Sequence, residues 1–179
     1  MKKFGFTLVE VLVSISIVII LVAIMTPALV GAKLWVKITV SKSNLRQVFL
    51  AAKLYQQDWD EKVEYGPASQ MGLPTFAGWY GNVMNLDEDL RRSPCRSPNS
   101  DRYGWSAYMW APDDSEGWIE LVKKREGGAI LTVDMACNDL SGPIRSEWIQ
   151  KRGIAVTVDG TILTKFKAGE WSNPNWWYE

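Results

Sequence analysis

Glu10 is the single charged side chain between Phe6 and Ala32, in a run otherwise made mostly of Val, Ile, Leu, Ala and Met. A carboxylate in a membrane span costs on the order of 2.5 to 3.5 kcal/mol at the centre and less towards the interface, so it needs a partner. No basic side chain within the run supplies one. Cutting the chain between Gly5 and Phe6 would supply it, by leaving Phe6 with a free, positively charged amine. One helix does not easily close that pair on itself, because its new terminus and Glu10 lie about a turn apart and the geometry favours a neighbouring chain. The pattern predicts assembly.

Little else in the sequence points to catalysis. The chain has no histidine, which removes the usual general base, the Ser-His-Asp arrangement, Cys-His catalysis and most catalytic zinc sites. It also lacks a Gly-rich phosphate loop, a Cys-x-x-Cys pair and a nucleophile elbow, so no enzyme activity is expected and no catalytic or metal residue is assigned. Acidic side chains gather at Asp58, Asp60 and Glu61 and at Asp113, Asp114 and Glu116. Calcium is the cation such oxygen-rich loops could take. Neither group has the alternating ligand spacing or glycine turn of a recognised loop, and a solvated acidic face is the simpler expectation. The 20 basic and 20 acidic side chains cancel, leaving no electrostatic footprint for specific nucleic-acid binding.

Two cysteines, Cys95 and Cys137, would lie on the translocated side of a membrane, where thiols tend to be oxidised. They form either one disulfide closing a loop of about forty residues, which would contribute on the order of 3 to 4 kcal/mol, or two buried thiols acting as small apolar side chains. The ten tryptophans include Trp171 and the tail Asn173-Pro174-Asn175-Trp176-Trp177-Tyr178. Exposed, such rings would form a stacking platform for sugar or another surface. Buried, they supply core area, and core and subunit contact is the favoured expectation.

The elements that must position these groups follow from hydrophobic pattern. At ~1.5 Å per residue the run from Phe6 to Ala32 is roughly 40 Å long, enough to cross a hydrocarbon core of about 30 Å. Lys2 and Lys3 place its start in the cytoplasm. A secretory peptide would have a shorter apolar region and a small-residue cleavage site, and Ala23 and Ala28 do not supply one. Pro27 and Gly31 weaken the helix. Pro27 marks an expected kink or extended segment within an assembled filament and a more regular helix in the isolated subunit.

From Ser43, Leu45, Val48, Phe49, Ala52, Tyr55 and Trp59 recur at helical spacing. The helix is therefore expected to continue as an amphipathic half ending near Lys62. A turn-rich connector follows from Tyr65 to Pro98, with at most one short helix over Val83 to Arg91. Tyr103 to Trp110 is strand-compatible, and Trp118 to Lys124 is a short helix. Ala129 to Asp134 is a buried strand. Ile154 to Val158 and Thr161 to Phe166 flank Asp159-Gly160, a two-residue hairpin signal. The predicted fold is α+β, a long N-terminal helix on a small antiparallel sheet. Its parts are a leader (1–5), a transmembrane and assembly helix (6–32), an amphipathic continuation (33–64) and one extracytoplasmic domain (65–179).

Lys2-Lys3-Phe4-Gly5 followed by Phe6-Thr7-Leu8-Val9-Glu10, and then an apolar helix interrupted by Pro27, closely resembles the class III signal of type IV prepilins and type II secretion pseudopilins. That resemblance implies cleavage after Gly5 by prepilin peptidase, N-methylation of Phe6, and Glu10 as the assembly acid together with the Phe6 amine. It implies a pilin-like fold and a structural subunit of a type IV pilus-like or type II secretion filament. The implied partners are other pilin-like subunits, an inner-membrane assembly platform and the membrane itself. The chain would first be a single-pass inner-membrane protein with its C-terminal domain outside the cytoplasm, then part of a cell-surface or periplasmic filament. Val158-Asp159-Gly160-Thr161-Ile162 also resembles the aspartate-glycine turn of larger pseudopilin-like proteins, whose preceding histidine and paired glycines are missing here. The alternative from another class is a membrane-anchored, Trp-rich binding or adhesion module for which the leader is merely an anchor.

Overall fold

The computed structural model describes residues 7–60, 62–74, 90, 93–95, 112–138, 148, 150–169 and 174–178. The expected helix over Val83 to Arg91, apart from Leu90, and the expected strand over Tyr103 to Trp110 lie outside them. The chain divides into two compact units, Met1–Val36 and Lys37–Glu179.

Helix α1 (Leu8–Gln57) begins in the first unit and is continuous through Pro27. It is long and apolar enough to cross a membrane by length and composition. Every side chain from Leu8 to Leu29 is exposed. Its few hydroxyls bond back along the helix: Ser14 to the Glu10 carbonyl at 2.7 Å, Ser16 to Leu12 at 2.8 Å and Thr26 to Val22 at 2.8 Å. Each is thereby satisfied without water, which a lipid-facing segment requires.

In the second unit α1 buries Ile38, Leu45, Val48 and Ala52, the inward stripe of the helical pattern. The helix stops at Gln57, a turn and a half short of the expected Lys62. Its last turn tightens, with Asp58 N donating to the Tyr55 carbonyl and Trp59 N to that of Gln56, both at 3.3 Å. The Lys62 ammonium then takes the Gln56 carbonyl, while the Gln56 side chain donates to Met71 O at 2.8 Å. The following loop folds back in turns and uses Gly72 at φ 67° against Trp59. Polar groups that would have continued the helix are thus consumed by its cap.

Helix α2 (Glu116–Arg125) starts where Ser115 accepts from Trp118 N at 3.3 Å, and ends on Lys123, Lys124 and Arg125, cations that suit the negative end of its dipole. A short 3₁₀ turn (Glu126–Gly128) leads into strand β1 (Ile130–Asp134). Strands β2 (Lys151–Thr157) and β3 (Ile162–Lys167) complete an antiparallel sheet in the order β1-β2-β3. Register shifts between Ile130 and Thr132, an irregularity that leaves all five residues of β1 buried.

The β2–β3 register, Val156 opposite Ile162 and Lys151 opposite Lys167, centres the hairpin on Asp159. Its loop therefore holds three residues, Val158-Asp159-Gly160, and not the expected two. Thr157 N donates to Thr161 O at 3.0 Å, Gly160 N to Thr157 O at 2.9 Å, and Gly160 sits at φ 88°. A left-handed glycine after a turn is the usual three-residue solution. The tip also bonds the 3₁₀ turn through Asp159 N to Gly127 O at 2.9 Å, which a tighter loop would not reach.

The sheet is covered on both faces. Ala155 packs with Ile130, Val133, Met135, Trp176 and Trp177, the last two on a short C-terminal helix, α3 (Pro174–Tyr178). By alternation Ile154, Val156 and Asp134 face the other way, and there Ser41 of α1 bonds Asp134. Gly153 makes the tail's approach possible: a Cβ there would lie 2.3 Å from Trp177 Cη2. Tyr178 locks the tail, donating to Gly128 O at 3.1 Å and accepting from Ile130 N at 3.0 Å.

Candidate assembly site at the start of the long helix

Thr7 and Glu10 close a reciprocal ring at the first turn of α1. Thr7 N and Thr7 Oγ1 each donate to Glu10 Oε2 at 2.8 Å, and Glu10 N donates to Thr7 Oγ1 at 3.3 Å. Because helical geometry begins at Leu8, Thr7 is the cap and Glu10 the third helical residue, the spacing at which a carboxylate reaches back to the free amides of the helix start. The negative group also sits at the positive end of the helix dipole. The sequence reading looked for Glu10's partner in a neighbour's amine and missed Thr7. The Thr-x-x-Glu spacing immediately before an apolar run was the signal that could have found it.

Gly5 and Phe6, the expected cleavage pair, lie outside the described residues. Pro27 sits inside α1 without a break. Cys95 and Cys137 are joined as a disulfide across 42 residues, with Cα atoms 4.7 Å apart. Asp113 accepts from Ser115 N at 3.0 Å and Ser115 Oγ at 2.6 Å, and Asp114 accepts from Ser69 N at 2.9 Å. Asp113 is therefore occupied in shaping its own loop, and Asp114 in tying that loop to the one that follows α1. Among the described residues no three Cys, Asp or Glu side chains converge as a metal site. Trp118, Trp176 and Trp177 are buried.

A second polar cluster, unforeseen in the sequence, surrounds Asp134. Its Oδ2 accepts from Ser41 Oγ and, at 2.7 Å, from Ser93 Oγ, while Oδ1 accepts from Ala136 N at 2.8 Å. The Cys137 sulfur lies 3.8 Å from Oδ2, a van der Waals contact because a disulfide sulfur has no proton to give. Burial pushes this carboxyl above the usual range, and the three donors offset only part of that. The cluster ties α1, the disulfide loop and β1 together.

Residues 1–26 match the family described as the prokaryotic N-terminal methylation motif. No curated protein and no solved structure matches the chain. The chain thus carries the type IV pilin and pseudopilin signal at its N-terminus, in front of the long helix and small antiparallel sheet of a pilin-like α+β fold.

Proposed function

We propose that this protein is a structural subunit of a type IV pilus-like or secretion filament. It is cut after Gly5 by prepilin peptidase, methylated at Phe6 and assembled through α1. The observation that carries the reading is the methylation motif on a helix whose side chains from Leu8 to Leu29 are all exposed.

Glu10 gives the mechanism. While the subunit waits in the bilayer, Thr7 satisfies the carboxylate locally. A neighbour's positively charged Phe6 amine offers a full opposite charge in place of these uncharged donors, and in lipid that attraction is only weakly screened. Exchange of one partner for the other draws the helix from lipid into the filament. The amphipathic half supports the same reading. Besides its inward stripe it exposes Val40, Leu50 and Leu54, at 42%, 57% and 63%, and at 3.6 residues per turn Leu50 and Leu54 fall opposite Leu45 and Val48. Such a second apolar face is suited to a neighbouring helix. Of the tail rings that the anchored sugar-binding alternative would use, Trp176 and Trp177 are in the core and Trp171 lies outside the described residues.

Mass spectrometry of the protein recovered from its native cells tests the proposal. The expected product lacks Met1 to Gly5, carries one methyl group on Phe6, and is found in filaments. An intact leader on the assembled protein would overturn it.

A further inference from the structure

Among the described residues, cations gather at one end of the second unit, and the register of the sheet places that end. The Gly160 tip lies against Phe49, a Cβ there falling 2.7 Å from the ring. Ser41, about 12 Å earlier along α1, bonds Asp134, whose strand partner is Ile154. Helix α1 and strand β2 therefore run the same way, and the open end of the hairpin is level with the turn where α1 enters this unit at Lys37. Arg152, opposite Phe166, Lys165, opposite Gly153, and Lys167, opposite Lys151, are at that end. The other end, around the C-terminus of α1, is of mixed sign: Asp58, Asp60, Glu64 and Asp114 lie there with Lys53 and Lys62.

Two aromatic rings are uncovered at the cation-rich end. Trp148 is 89% exposed, three residues before β2 and so within about 10 Å of Lys151. Phe166 is 58% exposed, with the Arg152 guanidinium 5.2 Å from its ring centre. Lys167 is likewise seated 5.7 Å from the Trp176 ring. Exposed aromatic rings interleaved with lysine and arginine are the composition of a membrane interface, where rings sit at headgroup level and cations meet phosphate.

We infer that the Lys37 end of the second unit, with Trp148, Phe166, Arg152, Lys165 and Lys167, is a docking surface for anionic phospholipid headgroups of the membrane in which the subunit waits. The inference rests on the membrane-anchored reading above. Lys37 is the fifth residue beyond Ala32, the expected end of the span, a distance of about 8 Å along a helix. The surface is thus tethered beside the headgroups, at an effective concentration that makes weak contacts sufficient. Docking of this kind would hold the domain down in the stored subunit and be released on extraction into a filament.

The full chain in nanodiscs whose lipids are brominated near the headgroup tests this. Tryptophan emission of the wild type minus that of W148F reads Trp148, and subtraction of W35F reads a ring beside the span. Expected is quenching of both rings in phosphatidylglycerol discs. The Trp148 signal should fall about fivefold or more in phosphatidylcholine discs, in K37E/K165E, or in about 1 M salt, where screening acts within ~3 Å. Quenching of Trp35 without Trp148 in anionic discs would overturn the docking surface alone. So would equal Trp148 quenching in both lipids, or quenching seen only when several chains share a disc, which would assign the surface to a second copy. Absence of quenching at both rings would overturn the anchored reading as well.

Discussion

Ser41 Oγ donates to Oδ2 of Asp134 across 93 residues of sequence, and both side chains are fully buried. The bond ties the long helix to the end of strand β1 through a carboxyl whose surroundings, among the described residues, are hydroxyls, an amide and a disulfide. Burial favours the protonated form, so the folded chain holds this proton to higher pH than the unfolded chain, whose carboxyl has its ordinary value of 3.8. Stability from this group is then fully present below about that pH and declines as pH rises through the folded value. Thermal unfolding of the full chain in detergent should show Asp134→Asn with a flatter pH dependence above pH 4 than the wild type. Asp134→Ala should lose about 1 to 3 kcal/mol below about pH 4, because the donors of Ser41, Ser93 and Ala136 are left unpaired, and less as pH rises.

Gly153 is where the C-terminal helix meets the sheet, with Trp177 and Trp176 occupying the space a side chain would need at 2.3 and 2.9 Å. The methyl group of Gly153→Ala cannot be accommodated without moving a ring that is 1% exposed. A loss of about 1 to 3 kcal/mol is expected, read as a lower unfolding midpoint. The W177L change in the same chain should recover part of it, which a defect in strand β2 itself would not allow.

The Cys95–Cys137 bond closes 42 residues and lies beside the Ser93–Asp134 contact. Replacing both cysteines with serine should cost about 3 to 4 kcal/mol by loss of the loop constraint. Protease cleavage between residues 96 and 136 should speed up, measured by limited trypsin digestion followed by peptide mapping.

Helical spacing made α1 legible, a continuous apolar run marked the buried strand β1, and the Asp159-Gly160 turn marked β2 and β3 on either side of it. What escaped was decided by groups distant in sequence or by local bonds that compete with the pattern. The end of α1 was set by Lys62 and Gln56 bonding the last turn, not by loss of apolar spacing. The hairpin loop gained a residue because its tip bonds Gly127, a partner the dipeptide Asp159-Gly160 does not announce. Asp134 read as the last residue of a strand, and its burial depended on Ser41 and Ser93 arriving from elsewhere. At the assembly site Glu10 was conspicuous for its charge. Thr7 was not, since a single hydroxyl next to an apolar run has an ordinary look until the three-residue spacing is considered.

That spacing leads to a prediction that separates capping from assembly. Thr7→Val keeps the shape of the side chain but removes the hydroxyl that gives to Glu10 Oε2 and receives from Glu10 N. It should destabilise the helix start by about 1 kcal/mol, with faster amide exchange confined to the first turn. Thr7→Ser should preserve it. Glu10→Ala removes both the cap and the acid, and on the proposed reading should leave a stable membrane protein that is poorly incorporated into filaments. Gly5→Val should block removal of the leader. If the hydroxyl only caps the helix, Thr7→Val will fray the turn and still yield filaments in normal number. A Thr7→Val chain that fails to assemble as fully as Glu10→Ala would instead mean that the neighbour's amine engages a carboxylate already oriented by Thr7. Filament yield and amide exchange measured on the same four variants distinguish the two outcomes.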